Sequence, residues 1–439
     1  MKPSFGTWLR YQTFRLIDRA ARRGRSPQTT LALPDTAVRR SLWLFVSTIG
    51  ELNAIAPLLD ALAPQTTPLH WVLLTDRRIY AEAYRARYPD ADIVEIGDHP
   101  AEASRLSRLR PPALALVAEI PLLPSDAPCR LPFAWLYEAA RHGAPVASVN
   151  GWLYGYATSC RIDTIERGLL LRDWLAIQSV LCVQSEAVRN SLLEAGAPPD
   201  KLVITGNIKF DALDRASWTP AGTRSPTLIG ALIATHRHVV VAGCVTDEDE
   251  QTLVLDAFVN LKSKRPHCLM VLAPRHPEQP EVMANLARAL AARGLLAVRR
   301  SEHGDQPVPG TIDVLTLDTM GELKDFYACA DVAHVGRDHN VLEPLAFGTA
   351  VTARPGWNAT YPSYPVFRLL FEEHELSVNE DPLLLADSWQ AALDVAHDSA
   401  GRAARITRLA ERFGGATARS LAALAPFVAI AMGARKDRP

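Results

Sequence analysis

Residues 317–348 read LDTMGELKDFYACADVAHVGRDHNVLEPLAFG, and the fold of the whole chain can be worked out from this stretch. It has the pattern of a turn, a helix, a strand, a glycine-containing loop and a second short helix. Thr319 stands three residues before Glu322. Asn340 stands three residues before Glu343, so both helix starts have the spacing of a capping box. Two helix N-termini would offer free N–H groups to a phosphate or carboxylate, and Glu343 could accept from ribose hydroxyls or only complete its cap.

Short apolar runs alternate with helix-length segments through most of the chain, which is the pattern of βαβ units in a parallel sheet. The first series of predicted strands comprises residues 41–47, 70–75, 92–96, 113–118, 145–150, 179–184 and 202–206. The second series comprises residues 239–243, 268–273, 295–300, 312–317, 331–335 and 350–354. The sequence therefore predicts an α/β protein with two doubly wound, Rossmann-like domains.

The domain boundaries are predicted from length and composition. A chain of 439 residues is too long for one ordinary core. We assign a basic N-terminal segment and linker (1–40), a first domain (41–213), a linker rich in Pro, Gly, Ser and Thr (214–230), a second domain (231–383) and C-terminal helices (384–439). The C-terminal helices are expected to pack back toward the first domain, because their most apolar part is short for a membrane span and contains Pro426.

Bulk composition excludes several classes of protein. A formal net charge of −1 gives no reason to expect a nucleic-acid partner. The six cysteines are scattered, which is typical of reduced cysteines in a cytosolic protein and predicts neither a disulfide framework nor a metal site. The chain has no GxGxxG, GxxxxGK[ST] or GxSxG, which argues against a nicotinamide enzyme, a P-loop ATPase and an α/β-hydrolase.

The N-terminal segment is basic and partly apolar. Its cations are Lys2, Arg10, Arg15, Arg19, Arg22, Arg23 and Arg25, and they are interleaved with Phe5, Trp8, Leu9, Tyr11, Phe14, Leu16 and Ile17. Such a segment could lie on an anionic membrane surface, or it could be a solvated helix ahead of the first domain. No secretory signal peptide is predicted, because no unbroken apolar run is present in these residues.

Ligands of doubly wound sheets bind beyond the carboxyl ends of the strands, so residues that directly follow a strand are the candidates for function. Glu51 follows the first strand and begins a helix, where the helix dipole should keep it ionised and able to act as a base, or simply stabilise the helix. Gly243 ends the first strand of the second domain, ahead of a helix that we expect Thr246 to cap. Arg275 and His276 follow the next strand and bring a cation and a titratable ring to the same edge.

Five motifs occur together in a familiar order. They are TIGELNAIAPLL around Glu51, CVQSEAVRNSLLEAGAPPDKLVITGNIKFD (182–211), VLAPRHPE (271–278), LDTMGEL (317–323) and HNVLEPLAFG (339–348). With FGGATARSLAAL near the end, the chain resembles the 3-deoxy-D-manno-octulosonic acid (Kdo) transferases of lipopolysaccharide synthesis over roughly residues 41–425.

The resemblance implies a GT-B fold, in which two Rossmann-like domains face an interdomain cleft, and an inverting transfer of Kdo from CMP-Kdo to a lipid A precursor. It implies no metal and no cofactor, with the CMP-sugar donor as a substrate. Glu51 matches the catalytic base. The residues that match the donor site are Arg275, His276, Thr319, Met320, Gly321, Asn340 and Glu343, and Gly243 lies at the same strand edge. The implied location is cytoplasmic and peripheral on the inner membrane.

Two loops differ from the family pattern. TDRRIYAEAYRARYP (75–89) replaces a loop rich in Thr and Gly, and Gly336-Arg337-Asp338-His339 replaces a double-glycine loop. Two glycines allow a close backbone approach to a ligand, for which Arg337 and Asp338 are not simple substitutes. The acceptor could therefore be lipid A or another glycolipid, and the donor a related CMP-activated ulosonic acid. A non-catalytic relative that binds a nucleotide or glycolipid as a partner protein stays an alternative, as does a GT-B-like sugar-nucleotide epimerase.

Overall fold

The chain forms two compact units, each built around its own parallel sheet. The structure is a computed structural model that describes residues 2–21, 37–97, 100–120, 131–153, 158, 160–215, 218–235, 237–361, 363–396 and 399–433. Unit 1 comprises Met1–Asp211 and Phe413–Pro439, and unit 2 comprises Ala212–Arg412. The predicted cations Arg22, Arg23 and Arg25 lie outside the described residues, as does the rest of the range 22–36 in the predicted N-terminal segment and linker.

Unit 1 contains a seven-stranded sheet in the order β3-β2-β1-β4-β5-β6-β7, with all its paired strands parallel. The strands are β1 (Ser41–Phe45), β2 (His70–Thr75), β3 (Asp92–Glu95), β4 (Pro112–Ala118), β5 (Val146–Gly151), β6 (Val180–Val183) and β7 (Leu202–Ile204). Trp43 and Phe45 belong to one buried cluster, whereas Leu42 and Leu44 belong to another. The sheet is therefore covered on both faces, which is why its strands read as continuous apolar runs.

Helices of unit 1 cover that sheet. They are α1 (Phe5–Ala21), α2 (Ile49–Leu62), α3 (Ala81–Arg87), α4 (Pro100–Leu109), α5 (Phe133–Arg141), α6 (Arg161–Ile177), α7 (Glu186–Glu194) and, from the far end of the sequence, α17 (Ala416–Ala431).

Unit 2 contains a second seven-stranded parallel sheet, in the order β10-β11-β9-β8-β12-β13-β14. Its strands are β8 (Val239–Val245), β9 (Leu269–Pro274), β10 (Ala297–Arg299), β11 (Val314–Thr316), β12 (Val332–Val335), β13 (Ala350–Ala353) and β14 (Ser377–Val378). Its helices are α8 (Pro226–Ala234), α9 (Glu248–Lys264), α10 (Pro280–Ala292), α11 (Arg300–His303), α12 (Leu323–Cys329), α13 (Leu342–Leu345), α14 (Tyr364–Glu372), α15 (Pro382–Asp394) and α16 (Ser399–Phe413).

The predicted fold class, two doubly wound α/β domains, is confirmed. In each sheet the strand order reverses beside the first strand of the unit, between β1 and β4 in unit 1 and between β8 and β12 in unit 2. Such a reversal opens a crevice at the carboxyl ends of the two strands, where ligands of this architecture bind. We call the side of a sheet at which its strands end the carboxyl edge.

The unit boundaries differ from the predicted ones. The chain enters unit 2 after Asp211, and the helix α8 already begins at Pro226, inside the stretch 214–230 that we expected to be a linker. The expectation that all residues from 384 onward return to the first domain also differs from what is seen. Helix α15 packs against α9 of unit 2, and only α17 packs in unit 1, against α2 and the central strands β4, β5 and β6.

The helical run from Ser399 to Ala431 is long and apolar enough, by length and composition, to cross a membrane. It is broken between α16 and α17, where Gly415 has a φ of +80° that only glycine adopts at little cost. Leu424 and Val428 on α17 are buried in the core of unit 1. We therefore interpret α17 as a core helix, in line with its contacts to the sheet.

The helix α1 has two apolar faces. Tyr11 and Phe14 are buried in the core cluster of unit 1, and Arg10 donates to Asp173 of α6 at 2.6 Å. The opposite face exposes large apolar side chains, namely Phe5, Trp8, Leu9 and Leu16. Apolar residues therefore lie on both faces of α1. This is why they do not form one regular apolar stripe at helical spacing in the sequence.

Candidate functional site

Glu51 lies at the carboxyl end of β1, where the chain turns into α2. Its carboxylate accepts from the backbone N–H of Ser47 at 2.8 Å and of Thr48 at 3.4 Å, and its own N–H donates to Thr48 Oγ1 at 3.2 Å. These bonds form a complete capping box. The glutamate side chain is held at the crevice beside the strand reversal, and it is almost fully buried.

Burial changes the protonation of this carboxyl group. Desolvation and, to a smaller extent, the nearby charge of Glu119 raise the pKa of Glu51 to about 8, although the capping N–H groups of Ser47 and Thr48 oppose the shift. Our expectation that the helix start keeps Glu51 ionised is therefore wrong at neutral pH, because desolvation outweighs the capping bonds. A carboxyl group with this pKa is mostly protonated at neutral pH, and its deprotonated form is a stronger base than an ordinary carboxylate.

Glu119 follows β4 and is the centre of a buried polar network that the sequence analysis missed. Asn150 Nδ2 donates to its Oε1 at 3.0 Å, and Lys209 Nζ lies 3.0 Å from the same oxygen. Glu119 and Asn150 both have positive φ angles, 59° and 54°, which are costly for residues other than glycine and are concentrated at functional sites. The rule that selected Glu51, a polar residue directly after a buried strand, would also have selected Glu119.

The motif GNIKFD connects this network to the last helix. Asn207 donates to Gln184 Oε1 at 3.1 Å, and Gln184 in turn donates to the carbonyl of Asn150 at 3.0 Å. Asp211 accepts from the backbone N–H of Thr417 at 2.6 Å and of Ala416 at 3.3 Å, so it caps α17. Two motifs about two hundred residues apart thus meet in unit 1.

The predicted donor residues lie at or beyond the carboxyl ends of strands of the second sheet. Along its carboxyl edge, the loop with Thr319, Met320 and Gly321 follows β11, Arg275 and His276 follow β9, and Gly243 lies near the end of β8. The loop with Asn340 and Glu343 follows β12, which pairs with β8. Four chain segments therefore reach one edge through four adjacent strands, and direct contact of each residue with a donor stays a prediction.

Arg275 and His276 have different surroundings although they are adjacent in sequence. Arg275 Nη2 donates to Tyr361 Oη at 3.1 Å. His276 is exposed and lies 3.0 Å from Glu278 Oε1. A second histidine of the edge, His339, is largely buried, and desolvation together with the charge of Arg275 lowers its pKa to about 4. His339 is therefore a neutral hydrogen-bonding group at neutral pH, whereas Arg275 carries the positive charge.

The two capping boxes predicted in residues 317–348 are absent. Glu322 is the N-cap of α12 without a side-chain cap bond, and it accepts from Thr319 Oγ1 at 2.7 Å and pairs with Arg300 at 3.1 Å. The carboxylate of Glu322 pairs with Arg300 instead of completing the cap, and the spacing of residues in the sequence does not reveal this contact. Met320 is exposed, and its carbonyl accepts from Arg224 at 2.7 Å, while Gly321 has a φ of +83°.

Asn340 and Glu343 form an incomplete cap. Asn340 Oδ1 accepts from the backbone N–H of Leu342 at 3.1 Å, and its Nδ2 lies 3.5 Å from Glu343 Oε1. The N-cap of the four-residue α13 is Val341. Burial raises the pKa of Glu343, which also lies close enough to Cys244 and Tyr327 to raise theirs. Glu343 therefore lies beside the end of β8, and most of its acceptor capacity is unused by the cap.

Gly243 has a packing role. A Cβ atom at this position would lie 1.9 Å from Tyr327 Oη, so any side chain would displace that ring. Gly336 is similarly constrained, because a Cβ there would lie 1.9 Å from the carbonyl oxygen of Cys244. Gly336 thus allows the end of β12 to approach the end of β8, and Gly243 allows Tyr327 of α12 to pack against β8.

The loop 336–339 keeps a glycine-like backbone without the second glycine. Asp338 has a φ of +66°, and its Oδ1 accepts from the backbone N–H of Asn358 at 2.7 Å. Aspartate is among the residues that tolerate the left-handed region, so it does substitute for a glycine in the backbone. The neighbouring Arg337 forms an ion pair with Asp247, which also pairs with Arg354 at 3.2 Å.

Asp247, not Thr246 as expected, caps α9, accepting from the backbone N–H of Glu250 at 2.9 Å. Arg354 was also missed, although it ends the predicted strand 350–354 and is found directly after β13. The same after-strand rule would have identified it.

Comparisons with known proteins fit this arrangement. The profile of the family described as 3-deoxy-D-manno-octulosonic-acid transferase (kdotransferase) matches residues 18–212. A 3-deoxy-D-manno-octulosonic acid transferase of Bordetella pertussis is 30% identical over 339 residues, covering 72% of this chain and 71% of that protein. The Haemophilus influenzae enzyme of the same name is 27% identical over 365 residues, covering 81% of this chain and 79% of that protein.

Solved structures agree with the fold. The UDP-GlcNAc 2-epimerase from Neisseria meningitidis bound to UDP-GlcNAc superposes with a TM-score of 0.61 at 15% identity, covering 88% of this chain and 100% of that one. At this identity the likeness concerns the fold alone. The sequence similarity to the Bordetella enzyme extends over both units, and the chain therefore belongs to the 3-deoxy-D-manno-octulosonic acid transferase family of glycosyltransferases.

Proposed function

We propose that this protein transfers Kdo from CMP-Kdo to a lipid A-type glycolipid with inversion at the anomeric carbon, and that Glu51 is the catalytic base. The observation that carries the proposal is the buried Glu51 at the strand reversal of unit 1, with its pKa raised to about 8, in a member of the Kdo transferase family. A carboxyl group with this pKa exchanges its proton at a pH close to neutral, so its deprotonated form is available as a base.

The reaction needs a proton acceptor and a stabilised leaving group. An acceptor hydroxyl oxygen attacks the anomeric carbon of Kdo, the bond from that carbon to the phosphate oxygen breaks, and CMP leaves with the bonding electron pair. Glu51 takes the hydroxyl proton. Glu119 lies near enough to raise the pKa of Glu51, which makes that carboxylate a stronger base.

The leaving group requires donors that are in place before the reaction. Arg275 is positively charged and lies at the carboxyl edge of the second sheet, held by Tyr361. Glu343 has unused acceptor capacity beside β8 and suits ribose hydroxyls. Fixed positive charge at the departing phosphate lowers the barrier, because the transition state of sugar transfer is oxocarbenium-like and places negative charge on the leaving oxygen.

A glycolipid acceptor implies peripheral contact with the anionic inner membrane on its cytoplasmic side. The outward face of α1 suits this contact. Phe5 is 76% exposed and Leu16 is 66% exposed, and Arg15 and Arg19 follow on the same helix. Apolar side chains flanked by arginines are the composition of a helix that lies in the interface of an anionic bilayer. The face packed on α6 would hold the helix to unit 1 during such contact.

The proposal is tested by CMP binding in a calorimeter, followed in the same preparation by transfer from freshly made CMP-Kdo to a lipid A precursor. We expect both CMP binding and transfer. Binding without transfer to this precursor, but with transfer to another glycolipid, would correct the acceptor only. If CMP does not bind and no Kdo is transferred, the proposed function is wrong. Co-sedimentation with phosphatidylglycerol vesicles tests the membrane contact, and a Phe5→Ser/Leu16→Ser variant should lose it.

A further inference from the structure

We propose that Arg337 and Arg354 form a subsite for the carboxylate of the donor sugar, and that this pair makes the protein selective for sugars that carry a carboxylate on the anomeric carbon. The inference rests on the proposed function, since it names how one part of the donor is recognised. It concerns the loop in which this chain differs from the double-glycine pattern.

The two arginines lie where a ligand of this sheet binds. Arg337 follows β12 and Arg354 follows β13, and Asp247 caps the helix that follows β8. The strands β8, β12 and β13 are neighbours in the sheet, and the strand order reverses between β8 and β12. Arg337 therefore lies at the switch point of unit 2, on the same edge as Arg275.

The charges around the pair are unbalanced. A single carboxylate, that of Asp247, is shared by both guanidinium groups, and its Oδ1 also accepts from the N–H of Glu250. The other nearby acid, Glu250, already accepts from the backbone N–H groups of Thr246 at 2.8 Å and Arg337 at 3.2 Å and lies 3.6 Å from His334. Among the described residues no second acid forms an ion pair with either arginine, and the adjacent Asp338 accepts from the N–H of Asn358, so the two positive charges share one carboxylate.

Unused hydrogen-bond donors support the same conclusion. The Nε atoms of Arg337 and Arg354 are enclosed, and neither has a hydrogen-bond partner among the described residues. A buried donor that lacks an acceptor is destabilising, so a ligand that supplies an acceptor would recover that free energy. The guanidinium group presents adjacent N–H donors in a planar fork, which matches the two oxygens of a carboxylate.

The loop holds Arg337 in a defined position. The carbonyl of Arg337 accepts from Thr246 Oγ1 at 3.1 Å, and Asp338 is tied to the N–H of Asn358. Gly356 lies beside the guanidinium, and a Cβ there would be in ordinary van der Waals contact with Arg337 Nη1 at 3.6 Å. A side chain that is positioned in advance loses little conformational entropy when it binds a ligand.

The chemistry of the donor class supplies the matching group. In a CMP-activated ulosonic acid, the anomeric carbon carries a carboxylate as well as the phosphate oxygen, so two anionic groups lie close together. Arg275 is available to the phosphate, and Arg337 with Arg354 to the carboxylate. A nucleotide-activated aldose has no such carboxylate and would leave this pair unused.

The test compares two ligands that differ in the sugar. The purified full-length chain and the variants Arg337→Gln and Arg354→Gln are titrated calorimetrically with CMP and with freshly prepared CMP-Kdo. We expect each variant to lose about 10- to 100-fold in affinity for CMP-Kdo, the effect of one charge-assisted hydrogen-bonding group, and to keep its CMP affinity within about twofold. Arg265→Gln is the matched control, because Arg265 pairs with Asp394 at the opposite end of α9.

The outcomes separate the inference from the proposed function. If both variants keep the wild-type affinity for CMP-Kdo, or weaken CMP and CMP-Kdo equally, the pair does not recognise the carboxylate and the inference is wrong while the proposed function stands. If the wild-type protein binds neither ligand, the proposed function fails and the inference fails with it. Circular dichroism and thermal unfolding of each variant confirm that a loss of affinity does not arise from unfolding.

Discussion

The carboxyl edges of the two sheets have the same topology and opposite chemistry. In unit 1 the edge carries the buried acids Glu51 and Glu119, with amide side chains and a single lysine around them. In unit 2 the edge carries Arg275, Arg337 and Arg354, together with Gly336, which lets the ends of β8 and β12 approach each other. Burial raises the pKa of a carboxylate base, whereas a site for an anionic donor needs accessible positive charge. The same architecture therefore serves two tasks, and the residues that follow its strands determine which one.

The largest effect is expected from removing the base in unit 1. Glu51→Gln keeps hydrogen-bond acceptance from Ser47 and Thr48 but cannot take a proton, so the rate of transfer should fall at least about 100-fold while CMP binding stays unchanged. Rates and CMP titrations measure both quantities. Glu186→Gln is the matched control, because Glu186 is an exposed first-turn acid of α7 that follows β6 at the same edge. A Glu51→Gln enzyme with the rate of the control would remove Glu51 from the mechanism.

At the carboxyl edge of unit 2 we expect a substitution to weaken CMP binding, which the Glu51 substitution leaves unchanged. Glu343→Gln should weaken CMP binding about 10- to 100-fold, since a charged acceptor of ribose hydroxyls is lost. Isothermal titration at pH 8 checks this, because burial raises the pKa of Glu343 and the acid must be ionised. Unchanged CMP affinity would show that Glu343 serves only the short cap with Asn340. The assignment of donor binding to this edge of unit 2 would then be contradicted for Glu343.

The pH dependence of transfer sharpens the comparison. Glu51 is active as a base only when deprotonated, and its pKa is raised to about 8, so kcat/KM should rise with pH and level off above that value. Glu119→Gln removes a negative charge that raises this pKa, so the midpoint should move to lower pH. Profiles of both enzymes between pH 6 and pH 9.5 are compared. A midpoint that stays in place, or moves upward, contradicts the assigned coupling.

The smallest effect concerns stability at the glycine contact in unit 2. Gly336→Ala would place a Cβ against the carbonyl of Cys244, so β8 and β12 must separate, and we expect a loss of about 1–3 kcal/mol in the free energy of unfolding. Gly230→Ala on α8 is the control, because that position has open space and helical alanine is favourable. Urea unfolding of both variants measures the change in the free energy of unfolding. Equal unfolding midpoints for Gly336→Ala and Gly230→Ala would mean that Gly336 does not pack tightly against the carbonyl of Cys244.

Much of the fold could be predicted because both sheets are buried on both faces. Every predicted strand exists, since a doubly covered strand is a continuous apolar run. The strand β14 was missed because it contains only Ser377 and Val378, a length that carries no periodic pattern. The return of the chain to unit 1 was placed about thirty residues early, because α15 and α17 have similar apolar composition and differ only in what they pack against.

Site residues could be predicted when their place after a strand was enough to identify them. They could not be predicted when their role depends on a contact with a residue that is distant in the sequence. Glu51 was found from its place after β1, but its pKa depends on burial and on Glu119, which the sequence does not bring together. The capping boxes failed for the same reason, because the carboxylate of Glu322 pairs with Arg300. Arg354 and Glu119 were missed only because the after-strand rule was not applied to every strand.

The cap that Asp211 provides for α17 has a consequence for biosynthesis. Unit 2 is a single continuous segment, Ala212–Arg412, and can fold as soon as that segment has left the ribosome. Unit 1 has emerged much earlier, yet the helix that covers β4, β5 and β6 comes only with the last residues. Until then its sheet lacks part of its cover, and Asp211 has no helix start to bind. We therefore expect the first unit to be synthesised to be the last to be completed, and its unfinished apolar face to be a surface that a chaperone can bind before α17 is made.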